Sequence, residues 1–126
     1  MGTRTNSKFI SKQANMSGLL RIGNIVLAKI ISVLYNSNVS LSDCGCTFRV
    51  LKKPMVKKIL PKLKVGKSYF LAELLIVSLI SGSKNFEIPV RYRKRVGESK
   101  ITGSLKGSVL VGIQMFKLAI QYKFRT

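Results

Sequence analysis

The sequence contains no histidine and no tryptophan, and only four acidic residues among 126. Without histidine there is no Ser-His or Cys-His nucleophile system and no His-ligated metal. The acids are Asp43, Glu73, Glu87 and Glu98. They are too few for a carboxylate cage around a metal or for a paired-carboxylate glycosidase site. Cysteine occurs twice, as Cys44 and Cys46. One residue apart, they make a poor disulfide, and two ligands alone do not make a zinc site. They read as small buried thiols of a reducing compartment. No run of 18 uncharged apolar residues occurs, so no transmembrane helix is expected. The candidates are broken by Arg21 and Lys29, by Glu73, and by Lys117. Met1–Ala14 is polar and basic and lacks the apolar core of a secretory signal.

What is abundant is positive charge. Lys and Arg number 23, for a formal net charge of +19 and a pI near 10.6. Such a surface repels itself and seeks anions. Apolar residues make up 46% of the chain, enough for a core and too many for intrinsic disorder. The length fits one domain. Apolar positions recur at helical spacing from Ser17 to Tyr35, and Asn36-Ser37-Asn38 closes that helix. Cys46–Leu51 is rich in β-formers and reads as a short strand. Pro54 opens a helix that Pro61 stops. Another helix runs from Tyr69 to Ile80, ending at Ser81-Gly82. Phe86–Arg93 alternates, with Phe86, Ile88 and Val90 expected on the buried face and Pro89 marking an edge or bulge. The last helix spans Ser104–Tyr122. Two isolated strands make a poor sheet alone, so the chain reads as part of a larger fold of marginal stability by itself. Glu73, within an apolar run, is expected to be a buried structural partner for a cation.

Three segments carry chemistry: Gly2-Thr3-Arg4, Asp43-Cys44-Gly45-Cys46-Thr47-Phe48-Arg49, and Glu87-Ile88-Pro89-Val90-Arg91-Tyr92-Arg93 leading into Arg95-Val96-Gly97-Glu98-Ser99-Lys100. In this order they resemble the second half of family 2 glycosyltransferases, in the dolichyl-phosphate mannosyltransferase-like branch. The resemblance covers nearly the whole chain and implies an α/β class. The expected architecture is a partial GT-A (Rossmann-like) fold, its helix-rich C-terminal half with about two short strands and amphipathic helices. It implies an inverting transfer of sugar from a UDP- or GDP-linked donor to a polyprenyl phosphate or similar acceptor. In the family a D-x-D motif in the first half binds the nucleotide sugar and a divalent metal, Mg or Mn. A chain with one Asp cannot carry that motif. The expectation is therefore that residues 1–126 are the acceptor-side half, a fragment or split product inactive alone, with no metal ligands of its own.

Carried over residue by residue, the resemblance makes Arg4, Arg21, Arg95 and Lys100 the phosphate-binding cations. Arg suits that role because its fork matches phosphate oxygens bidentately. Asn24 accompanies Arg21, and Gly97 lets backbone N–H groups approach the anion. Asp43 becomes the catalytic candidate, orienting the acceptor rather than deprotonating it, since a phosphate acceptor is already anionic. Its other reading is a turn cap or an ion-pair partner of Arg49. Thr47 stands where many members have Gly. Residues 104–122 are a candidate membrane-interface helix, and a peripheral place at the cytoplasmic face of a membrane is expected. A nucleic-acid partner is not expected, because no zinc-finger, RNP or KH signature occurs. The remaining alternative is a small basic membrane-surface or nucleic-acid-binding protein without catalysis.

Overall fold

A computed structural model describes residues 1–10, 18–94, 96–97 and 104–125. Its elements, in chain order, are β1 (Gly2–Thr3), α1 (Gly18–Leu34), α2 (Lys53–Ile59), α3 (Phe70–Ile80), β2 (Ile88–Pro89) and α4 (Leu105–Arg125). Single 3-10 turns lie at Ser7–Phe9 and Leu60–Lys62. The result is a mixed α/β, helix-rich fold.

Helix α3 is apolar on nearly every face, which is the pattern of a helix enclosed by others. Ala72, Glu73, Leu75, Ile76, Val77, Ser78 and Leu79 are all buried. It packs against α2 and α4, and α4 packs against α1. The core joins Leu27, Ala28 and Ile31 of α1 to Leu75 and Ile76 of α3 and Leu118 and Ala119 of α4. Leu41 and Cys44 bring the intervening loop into it.

Both long connections leave their helices the same way. Asn36 sits at φ 48°, with Ser37 N–H donating to Ser32 O at 2.9 Å and Asn36 N–H to Val33 O at 3.4 Å. Gly82 sits at φ 85°, with Ser83 N–H donating to Ser78 O at 3.0 Å and Gly82 N–H to Leu79 O at 2.9 Å. These are two Schellman caps, with Asn and Gly at the left-handed position those residues tolerate best. The expected stops at Asn36-Ser37 and Ser81-Gly82 are both found. Pro61 does not end its helical stretch sharply, because the chain continues through the 3-10 turn to Lys62.

Strands β1 and β2 pair in parallel, Gly2 with Ile88 and Thr3 with Pro89, and a bridge between Ile10 and Tyr92 continues the pairing. Ile88 and Val90 turn their N–H groups toward β1, reaching Met1 O at 2.9 Å and Thr3 O at 3.0 Å. Pro89, between them, therefore faces the open edge, where its missing N–H costs nothing. Gly2 allows the close approach: a Cβ there would lie 2.9 Å from Val90 Cγ1.

Three expectations need correction. Cys46–Leu51 forms no strand; its backbone accepts one hydrogen bond from β1, donated by Gly2 N–H to Phe48 O at 2.8 Å. A run of β-formers becomes a strand only where a neighbour accepts its ladder, and here the Arg49 guanidinium takes the Cys46 carbonyl. The alternation at Phe86–Arg93 holds only in part. Phe86 and Ile88 are exposed, while Glu87 turns inward, because its carboxylate has three donors waiting there. Glu73 is buried as expected, but its partners are not cations. It accepts from the Lys64 and Val65 amides and from the Tyr122 hydroxyl.

Candidate phosphate-facing site

Arg4 leaves the end of β1 and meets Asp43 from the loop after α1. Asp43 is fully buried. Its Oδ2 accepts from the Arg4 backbone N–H at 2.9 Å and from Arg4 Nε at 2.8 Å. Its Oδ1 accepts from Arg4 Nη2 at 2.9 Å, Asn24 Nδ2 at 2.7 Å and Gly45 N–H at 3.0 Å. Burial alone would push the Asp43 carboxyl up. The bonds and charge of Arg4, helped by Asn24, outweigh that and hold it below the ordinary aspartate value. Arg4 moves the opposite way: burial opposes its charge, yet Asp43 raises its pKa above the ordinary arginine value.

With both oxygens engaged by five donors, Asp43 serves as a clamp. Only Nε and one N–H of Nη2 are spent on it, so Arg4 keeps further N–H bonds to offer. Its guanidinium carbon lies 5.7 Å from the Tyr92 ring centroid, a cation–π contact that fixes its plane. Tyr92 in turn lines a cleft of about 630 Å³ with Lys8, Phe9, Ile10, Arg91, Arg93 and Lys94. Four of those seven side chains are cationic and none is acidic.

Arg21, in the first turns of α1, reaches the same neighbourhood. Its Nε donates to Thr5 O at 2.6 Å. Arg4, Asn24 and Asp43, from three separate segments, thus converge, and Arg21 adjoins them through the Thr5 carbonyl. Arg95 and Lys100 lie outside the described residues.

Two positioning groups escaped sequence reading. Glu87 accepts from Ser42 N–H at 2.8 Å, Ser42 Oγ at 2.7 Å and Asp43 N–H at 3.1 Å. It thereby ties the segment that carries Asp43 to the strand beside β1. The hydroxyls of Thr3, Thr5 and Ser42 interlock at 2.7 to 2.9 Å next to it. Glu87 opens the third motif segment, but its alternation with Phe86 and Ile88 pointed it to the exposed face, so no local signal gave it this role. Arg49, the expected alternative partner of Asp43, binds three carbonyls instead: Cys46 O at 3.0 Å, Leu71 O at 2.7 Å and Cys44 O at 2.6 Å. It pins the loop to α3, and burial lowers its pKa below the ordinary value. Burial likewise pushes the Cys44 thiol up to about 12.

The three carboxylates placed by the structure are all committed to protein donors. Among the described residues no group of three or more Cys, Asp and Glu side chains gathers to hold a metal ion. A divalent cation does not fit these residues. Among the described residues, no helix is long and apolar enough to cross a membrane.

Against known proteins, the chain is 30% identical over 110 residues to a dolichyl-phosphate hexose transferase of Haloferax volcanii. The match takes in 87% of this chain and 46% of the relative, so the chain spans about half the length of the curated relative it matches. The similarity supports a glycosyltransferase-like relationship. No family model matches the chain, and no solved structure does.

Proposed function

We propose that this chain is the acceptor-side part of an inverting, family 2-like glycosyltransferase with a partial GT-A fold, acting on a polyprenyl phosphate. The observation that carries the reading is the Arg4–Asp43 clamp, stacked on Tyr92 beside a cleft with four cations and no acid. The similarity to a dolichyl-phosphate hexose transferase of Haloferax points the same way.

The chemistry follows from charge. A phosphate oxygen of the acceptor attacks the anomeric carbon of the nucleotide sugar. The new carbon–oxygen bond forms as the bond to the diphosphate breaks, and the nucleoside diphosphate leaves with the electron pair. Two phosphate groups crowd one carbon in that step. Fixed cations lower its cost because they are oriented beforehand. Arg4 is held by Asp43 so that its free N–H bonds face the anion, and Arg21 and Arg91–Lys94 add charge around it. Asp43 removes no proton, since the acceptor oxygen carries none. The nucleotide-binding half, with its D-x-D motif and Mg or Mn, would come from sequence outside these residues.

The exposed apolar side chains of α1 (Leu19, Ile22, Val26) and α4 (Val109, Leu110, Ile113, Phe116) support a peripheral membrane position. A lipid-linked acceptor would be met there, on the cytoplasmic face.

A chimera tests the reading. The aligned residues of the Haloferax relative are replaced by this chain, and transfer of labelled sugar to polyprenyl phosphate is measured. Transfer is expected, and Arg4→Ala should abolish most of it. A folded chimera with undiminished transfer after Arg4→Ala would overturn the assignment.

A further inference from the structure

A second cavity, sharing no lining residue with the cleft beside Arg4, lies where the start of α3 meets the C-terminal half of α4. Its volume is about 320 Å³. That is near the small end of the roughly 300–1,000 Å³ range of ligand pockets. The rings of Tyr69 and Tyr122 line it, and three cations, Lys64, Lys117 and Arg125, open onto it. Lys117 and Arg125 stand eight residues apart on α4, about 12 Å along the axis, so they flank the opening from two sides.

The only acid in the lining is Glu73, and it is already satisfied. Its oxygens take the Lys64 amide at 3.1 Å, the Val65 amide at 2.9 Å and the Tyr122 hydroxyl at 2.5 Å. Among the described residues, none of the three cations forms an ion pair; the one pair is Arg4–Asp43. The Glu73 carboxylate, bonded only to neutral donors, offsets one of the three cations, and the net positive charge that remains around the concavity draws a bound anion. All three are exposed side chains, but they stand around one half-open concavity.

We infer that this cavity binds a small phosphate monoester, with the phosphate between Lys64, Lys117 and Arg125 and the body of the ligand against Tyr69 and Tyr122. Phosphate of this kind reaches a protein either as a soluble sugar phosphate or as a phospholipid headgroup. The inference is independent of the transferase reading.

The 126-residue chain is titrated at constant ionic strength with glucose 1-phosphate, following amide NMR shifts. In a second arm it is co-sedimented with phosphatidylcholine vesicles with and without phosphatidylglycerol. Lys117→Gln with Arg125→Gln is compared with Lys57→Gln with Lys84→Gln, which removes equal charge from exposed sites elsewhere. In at least one arm the first double variant should bind at least about tenfold more weakly, the weight of one charge-assisted hydrogen bond. The control variant should bind like the parent. A response to the soluble ester, centred on the Val65, Gln121 and Tyr122 amides, identifies a soluble ligand. A loss of binding by the first double variant but not by the control, in the vesicle arm alone, identifies a headgroup, because binding through the overall charge and the apolar rows is shared by both double variants. Equal binding by both double variants in both arms would overturn the site.

Discussion

Arg4 and Asp43 show what a single buried pair commits a chain to. Asp43 has no exposed surface, and Arg4 retains a quarter of its side chain in solvent. Removing Arg4 leaves a buried carboxylate uncompensated, which typically costs about 3–5 kcal/mol. Urea denaturation of Arg4→Ala at neutral pH should show a loss of that order. Because the native pKa of Asp43 is lowered, its contribution is complete above the unfolded value of about 3.9 and disappears as pH falls through the native value. The difference between parent and Arg4→Ala should therefore shrink in acid; a pH-independent difference would mean the pair is not the source. The Arg4 and Asp43 positions were legible in the motifs. Their mutual partnership was not, because sequence spacing does not say which of 23 cations meets a given acid. Arg49, six residues from Asp43, looked equally placed and instead went to three carbonyls.

The helices were the most legible elements. A long apolar period and cap-forming residues act locally, so α1, α3 and α4 were found to within a few residues. Gly82 offers a clean test of one such cap. No atom lies within 4 Å of a Cβ built there, so Gly82→Ala would meet no steric contact and only the cost of φ 85°. That cost should be about 1–2 kcal/mol in urea denaturation. A neutral Gly82→Ala would show that the cap is not held at positive φ. The strands were less legible. Each is two residues long, and their register partners, Gly2 with Ile88 and Thr3 with Pro89, lie 86 positions apart in sequence, so the register depends on contacts no local pattern encodes. Cys46–Leu51 had the composition of a strand but lacked a ladder partner, and the side-chain parity of Phe86–Arg93 followed Glu87 rather than its apolar residues.

The described surface carries several large apolar side chains in the open. Part of that surface is apolar: Phe48, Val50, Phe86 and Ile88 around the strands, and the rows on α1 and α4. Combined with a net charge of +19, it suits contact with an anionic bilayer. Vesicles containing phosphatidylglycerol should co-sediment the protein, and added salt should release part of it. Ile113→Asp with Phe116→Asp should weaken the association even at low salt. Binding that ignores both salt and those substitutions would place the contact elsewhere.

In the proposed function Arg4, held by Asp43 and Tyr92, receives a phosphate carried on a polyprenyl chain. Calorimetric titration of the protein with farnesyl phosphate and with farnesol, in matched micelles at fixed ionic strength, tests it most directly. The phosphate should bind saturably and the alcohol far more weakly, and Arg4→Gln should cost the phosphate about tenfold or more in affinity. Equal affinity for phosphate and alcohol, or an Arg4→Gln protein that binds the phosphate as the parent does, would contradict it.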